Sequence, residues 1–335
     1  MQCGKRVSKS TILLRSIGIP NVQKPVFAFD SLDNLPNLLQ CAKNNKIPLL
    51  FLRSVASDLE KIPFASALLK YEQQYQSTTN LIEFVGDLLE NVDYTFFKTI
   101  KPFPYVPSDV DILFRSIDDL LVVEKKLKNK NCVSLERDEY GVTMFSKTHK
   151  LCIDLTTKIA VSGMVYVANN LIFEHVQDYD FHGTEVRTLE QPADLLVAIG
   201  HSIFKEQMYT LSDYYTLVLL AHEWKKALKL AEKFHLKHAT ETVLGVTKDI
   251  TLNAFGSLDA ISQKPVRKHV CASTKGCGKD IELPKKYDLS TLIVELSKKV
   301  TSDPVTLTSL LVTAKTFCSP SFYRKAVEHI TRDAY

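Results

Sequence analysis

Three carboxylates are spaced for chemistry in this chain: Asp109 and Asp111, in the run Ser108-Asp109-Val110-Asp111-Ile112-Leu113-Phe114, and Asp154, in Leu151-Cys152-Ile153-Asp154-Leu155. Successive side chains of a strand alternate faces, so Asp109 and Asp111 point the same way while Val110 and Ile112 turn into a core behind them. Two acids held that close raise each other's pKa unless a divalent cation supplies the compensating charge. A third acid on a neighbouring strand completes an oxygen-rich set of the kind Mg²⁺ prefers. Asp-X-Asp also occurs by chance in solvated turns, so the flanking elements decide between the two readings.

Those elements can be read outward from the acids. Tyr94-Thr95-Phe96-Phe97 is an aromatic and β-branched run that predicts a strand ending at Lys98-Thr99. The connection Ile100-Lys101-Pro102-Phe103-Pro104-Tyr105-Val106-Pro107 holds three prolines and excludes a helix. After the Asp-Val-Asp strand, Ser116 caps a helix with Asp118 and Asp119 in its first turn and lysines at its end, where they suit the helix dipole better than a phosphate patch. Residues 132–137 and 141–146 predict a hairpin around Asp138-Glu139-Tyr140, followed by the strand that carries Asp154.

Further out the pattern is helical. Leu35, Leu38, Leu39 and Ala42, then Leu59, Ile62, Ala65, Leu68 and Leu69, repeat with helical period, while Pro48 to Leu52 fits a strand or a buried helical turn. Pro192 opens a helix striped by Leu195, Leu196, Ile199 and Ile203, and Ser212 is a candidate cap for a helix from Asp213 to His222. Beyond residue 288, Pro304 behind Ser302-Asp303 opens a second helix, and Phe322, Tyr323, Ala326, Val327 and Ile330 pattern a third. The expected fold is therefore α+β, with a small mixed sheet in an α/β core over 86–187. A helical N-terminal module covers 1–85, a helical domain packing on the core covers 188–250, a basic loop or linker covers 251–287, and C-terminal helices cover 288–335.

The order of a first strand, a small turn, about ten residues, hydrophobic-Asp-hydrophobic-Asp and a later hydrophobic-Asp-hydrophobic strand resembles the polymerase-beta-like nucleotidyltransferase superfamily. The resemblance covers roughly residues 90–160. It extends more loosely over Val186 to Leu196, His201 and Leu211-Ser212-Asp213, which look like the helical half of a poorly characterised microbial nucleotidyltransferase family. It implies a metal-dependent enzyme that moves an NMP from an NTP such as ATP to an acceptor hydroxyl, on an RNA 3′ end, a protein or a small molecule, and releases pyrophosphate. Asp109, Asp111 and Asp154 would be its catalytic and metal-binding residues, with Mg²⁺ or Mn²⁺ as cofactor. Lys98, Thr99 and Ser108 would bind nucleotide, joined by His201 and Lys205, which lie four apart on a predicted helix beside the metal strands. The family usually has Gly-Ser or Gly-Gly where this chain has Lys98-Thr99, and lysine lacks glycine's permissive backbone.

Composition bounds the alternatives. A length of 335 residues suits about two domains, and a net charge of +4, from 42 basic and 38 acidic residues, is too small to argue for nucleic acid by itself. Lys264, Arg267, Lys268, Lys275 and Lys279 instead gather in the 251–287 segment, where they are either a solvated loop or an arm for an RNA acceptor. No apolar run is long enough for a signal core or a membrane span, and seven scattered cysteines suit a reducing compartment, so a cytoplasmic protein is expected. Cys271 and Cys277 are spaced too widely for a zinc pair, and Gly276-Cys277-Gly278-Lys279-Asp280 lacks the Ser or Thr of a phosphate loop. The rival readings are a catalytically degenerate nucleotidyltransferase-fold binding or scaffolding protein, and an all-helical adaptor with Asp-Val-Asp on a surface turn.

Overall fold

Leu13, Leu14 and Ile17 line the buried side of α1 (Lys9–Ile17), the first element of a computed structural model that describes residues 7–25, 35–56, 64–256 and 281–313. Helices α2 (Leu35–Asn44), α3 (Pro48–Ser54) and α4 (Ala65–Leu88) follow. Pro48 sits at the start of α3, where its missing N–H is harmless, and the run to Leu52 is helix rather than strand.

Seven of the strands form one mixed sheet. They are β1 (Tyr94–Phe96), β2 (Asp109–Phe114), β3 (Cys132–Arg137), β4 (Gly141–Ser146), β5 (Leu151–Thr156), and, after the small hairpin β6 (Ile159–Val161) and β7 (Met164–Val167) and the short helix α6 (Asn169–Phe173), β8 (Val176–Phe181) and β9 (Thr184–Leu189). The order is β3-β4-β5-β2-β1-β9-β8, with β2 parallel to β5 and β1 parallel to β9. An all-helical adaptor is thereby set aside. Helix α5 (Ile117–Lys128) starts at Ser116, whose hydroxyl accepts from Asp119 N, and the 138–140 turn joins β3 to β4 as the sequence predicts.

The sheet divides two cores. Val110, Ile112 and Phe114 of β2 and Ile153 and Leu155 of β5 pack with Leu120, Val123 and Leu127 of α5 and with Leu81, Ile82 and Val85 of α4. Each such side chain contributes roughly 1.5–3 kcal/mol when fully buried. On the opposite face, Leu113 joins a second cluster that contains Leu38, Leu39, Leu50 and Phe51 of α2 and α3. The same cluster holds residues of α7 (Gln191–Gly200), α8 (Leu211–Leu219), α9 (Trp224–Lys233) and α10 (Lys237–Phe255). The N-terminal helices and the 188–250 helices thus share one core on the face that carries the acids.

Several local expectations are corrected. Val186 to Leu189, read with the helical half, belongs to β9, because Val186 and Leu189 alternate into the sheet's cores. The cap of α8 is Thr210 rather than Ser212: Thr210 and Asp213 form a reciprocal capping box. His201 to Glu206 is a π-helical turn continuing α7, ended by Gln207 at φ +54. The 251–287 stretch is not wholly loop, since α10 runs to Phe255, and β11 (Lys285–Lys286) pairs with β10 (Met208–Tyr209). Helices α11 (Leu289–Ser302) and α12 (Pro304–Thr313) follow. Lys264, Arg267, Lys268, Lys275, Lys279, Cys271, Cys277, Leu59, Ile62 and the segment around Phe322 lie outside the described residues.

Candidate functional site

Parallel pairing of β2 with β5 sets the acids side by side. Asp111 is in register with Asp154, and Asp109 with Cys152, so all three carboxylates leave the same face of the sheet. Thr143, opposite Asp154 on β4, hydrogen-bonds the Asp154 carboxylate. Asp154 Oδ1 is buried and has no hydrogen-bond partner, an expensive state for a carboxylate oxygen. Burial pushes the Asp154 pKa up, a rise limited by the Thr143 bond and reinforced by Asp109. Burial likewise lifts Asp111 to about 6, with Lys98 opposing the rise and Asp109 adding to it.

Lys98 supplies the opposite charge. Its Nζ lies 3.2 Å from Asp111 Oδ1, and both side chains are nearly buried. Its backbone sits at φ +58, the left-handed conformation that glycine adopts freely, and its N–H donates to Asp194 Oδ1 at 2.8 Å. The turn therefore has the geometry expected of a glycine with a lysine in its place. Thr99 is buried, accepts from Asp111 N at 2.9 Å and donates to Phe97 O at 3.2 Å. Its hydroxyl hydrogen is engaged by the backbone, so Thr99 ties the turn to β2 rather than offering a donor to a phosphate. Ser108 Oγ donates to Asp109 Oδ1 at 3.1 Å.

The π-helical turn brings His201 and Glu206 onto Lys98. Lys98 Nζ is 3.3 Å from His201 Nδ1, and His201 Nε2 is 2.9 Å from Glu206 Oε1. An ammonium can only donate, so Nδ1 accepts and Nε2–H donates to Glu206: the imidazole is neutral in a fixed tautomer. Burial and the Lys98 charge keep the His201 pKa well below its ordinary value. Burial opposes ionisation of Glu206 too, but the His201 hydrogen bond, with Lys46 and Lys205 nearby, outweighs it and holds Glu206 down to about 2.

Two cavities meet at these groups. A cleft of about 590 Å³ is lined by Asp109, Asp111, Thr99, Ser108 and His201 together with Lys43, Lys46, Lys98, Lys101 and Lys205. A smaller pocket of about 210 Å³ lies toward the β3–β4 hairpin and takes in Asp154, Thr143, Glu136 and Asp138. Asp111, Lys98 and Lys205 border both. Every residue singled out from sequence for the site thus lies on one cavity or the other.

Neither protein-family models, nor curated proteins, nor solved structures match this chain. The geometry is therefore the ground for any functional reading. Among the described residues no group of three or more His, Cys, Asp or Glu side chains is close enough together to hold a metal ion in this conformation. The donors are nevertheless of the right kind: hard carboxylate oxygens on one face, one of them, Asp154 Oδ1, buried without a partner. Sequence reasoning missed Glu206, Asp194 and the lysines at 43, 46 and 101. The His201–Glu206 pair is five apart, a spacing that shares a face only on a π-turn. Lys43 on α2 and Lys46 in the turn after it come from the N-terminal region, whose relation to the acids is tertiary.

Proposed function

We propose that the protein is a metal-dependent nucleotidyltransferase that moves an NMP from an NTP to an acceptor hydroxyl and releases pyrophosphate, built on a nucleotidyltransferase-like sheet. The observation that carries this reading is the in-register acid face at the junction of two cavities, one of them bordered by five lysines. Asp109 and Asp111, with Asp154, would hold Mg²⁺ or Mn²⁺. A bound divalent ion neutralises phosphate charge and stabilises the developing charge of in-line displacement. Lys98 and Lys205, with the other cleft lysines, balance the triphosphate. His201 and Glu206 hold the Lys98 ammonium in place. Asp154, raised in pKa and lining the smaller pocket, accepts the hydroxyl proton as the acceptor oxygen bonds the α-phosphorus and the bond to pyrophosphate breaks.

A second reading, a binding or scaffolding protein without catalysis, draws on Thr99, whose hydroxyl serves the backbone, and on Lys98, which already neutralises Asp111. Calorimetric titration with Mg²⁺ and each NTP, comparing wild type with an Asp109→Asn plus Asp111→Asn variant, separates the two. Metal-dependent binding of nucleotide, lost in the variant, supports the enzyme. A folded wild type that gives no heat with any nucleotide rejects it in favour of the binding module.

A further inference from the structure

On the enzymatic reading just given, the structure also narrows the acceptor. We infer that the acceptor is a small polyhydroxylated molecule of monosaccharide size, seated in the 210 Å³ pocket beside Asp154, and not the end of an RNA chain. In-line transfer requires donor and acceptor on opposite sides of the transferred phosphorus. The two cavities meet at Asp111, Lys98 and Lys205, and the lysine-rich one is the larger, which leaves the smaller one for the acceptor.

That pocket is small and its walls are fixed. Its volume falls below the ~300 Å³ at which sites for drug-sized ligands begin. Asp138 Oδ1 accepts from the N–H groups of Tyr140 and Gly141 at 2.8 and 2.7 Å, which locks the hairpin tip. Thr157 binds Tyr140 O through its N–H at 2.8 Å and its hydroxyl at 2.9 Å, and Lys158 Nζ lies 4.4 Å from the centre of the Tyr140 ring. The tip is thereby tied to the turn after β5. At Gly141 an added Cβ would come within 2.3 Å of Leu155 O, so β4 and β5 are already in closest approach. A polymer end needs an open basic track with aromatic platforms. Here Glu136 and Asp138 would repel a phosphodiester backbone, whereas carboxylates accept hydrogen bonds from sugar hydroxyls. The chemistry is unchanged: an acceptor hydroxyl oxygen bonds the α-phosphorus, the bond to pyrophosphate breaks, and the hydroxyl proton passes to Asp154.

The test uses the full chain with Mg²⁺ and the NTP it binds best, reading pyrophosphate release with water alone, with a panel of monosaccharides, aminosugars and inositols, and with a short oligoribonucleotide. Two variants alter the pocket: Ala160→Trp fills it, and Glu136→Lys reverses charge at an exposed position, each checked for wild-type folding by circular dichroism. At least one polyol should raise release about tenfold or more over water, as bound positioning implies. That stimulation should be lost in both variants while the NTP dissociation constant stays within about twofold, because the cleft that holds the NTP is untouched. Nucleotide binding without stimulation by any polyol, or stimulation by the oligoribonucleotide alone, overturns the inference and leaves the proposed function standing. Failure to bind any NTP overturns both.

Discussion

Lys98 joins a left-handed backbone to a buried ammonium, and substitution can part the two. Lys98→Gly and Lys98→Ala both remove the charge beside Asp111 and should weaken NTP binding alike, by about tenfold or more. They should differ in stability, Lys98→Gly unfolding in urea at higher concentration by the equivalent of about 1 kcal/mol, since only glycine relaxes at φ +58. His201 makes a pH prediction. Its folded pKa lies below the unfolded value, so between the two the unfolded chain binds the proton; stability is fully present above about pH 6.5 and is lost as pH falls below it. Asp111, raised to about 6, works in the opposite sense, contributing below its unfolded pKa and losing that contribution as pH rises through 6. His201→Gln keeps a donor for Glu206 and an acceptor for Lys98, so its urea midpoint should fall less than wild type between pH 7 and pH 5; an equal fall would contradict the neutral tautomer. At this scale the acids were legible because strand period alone places Asp109 and Asp111 together. Glu206 was not, because an α-helical template puts it on another face from His201.

Two short devices fix the helices that wall the cleft. Asn45, fully buried between α2 and α3, donates to Cys41 O at 3.0 Å and Leu283 O at 2.8 Å and accepts from Leu211 N at 3.0 Å. Asn45→Ala leaves those buried groups unpaired, and a loss of about 3 kcal/mol or more is expected in equilibrium unfolding. Thr210→Ala removes the α8 capping box and should cost about 1 kcal/mol. Both variants act on the wall formed by Lys43, Lys46, Thr210 and Asp213, so NTP affinity should weaken with them. Elements with strong local signals were read correctly: the hairpin around Asp138, the Ser116 cap and the proline-rich connection. The β9 strand was not, since its six residues gain their strand state from pairing with β1 and β8. The choice of Thr210 over Ser212 depends on Asp213 reaching back to Thr210 N, a reciprocity that two hydroxyl residues two positions apart leave open in sequence.

At the scale of the whole molecule, the acid-bearing face of the sheet is covered by helices from both sides of the sequence. Leu113 packs in the cluster that unites Leu13, Leu39 and Phe51 with Leu196, Tyr214 and Val243. Residues 64–190 expressed alone, which keep α4, α5 and all seven strands but not the helices over the acid-bearing face, should therefore fail to give a cooperative thermal transition, whereas the full chain should give one; a well-folded fragment would show that the sheet needs only its α4–α5 side. The pattern of strand-like and helix-like runs announced a mixed α+β protein, and among the described residues no helix is long and apolar enough to cross a membrane. It could not announce which helices share a core, because apolar periodicity marks a buried face and not its partner. The bond from Asn45 to Leu283 spans 238 residues. On a ribosome adding roughly 5–20 residues per second, α2 and α3 wait on the order of tens of seconds for that partner after they emerge. Until helices α7 to α10 and Leu283 have emerged, Leu38, Leu39, Leu50 and Phe51 lack part of the cluster that later buries them, which makes the nascent N-terminal helices a natural substrate for holdase chaperones and a first place to look when expression yields are poor.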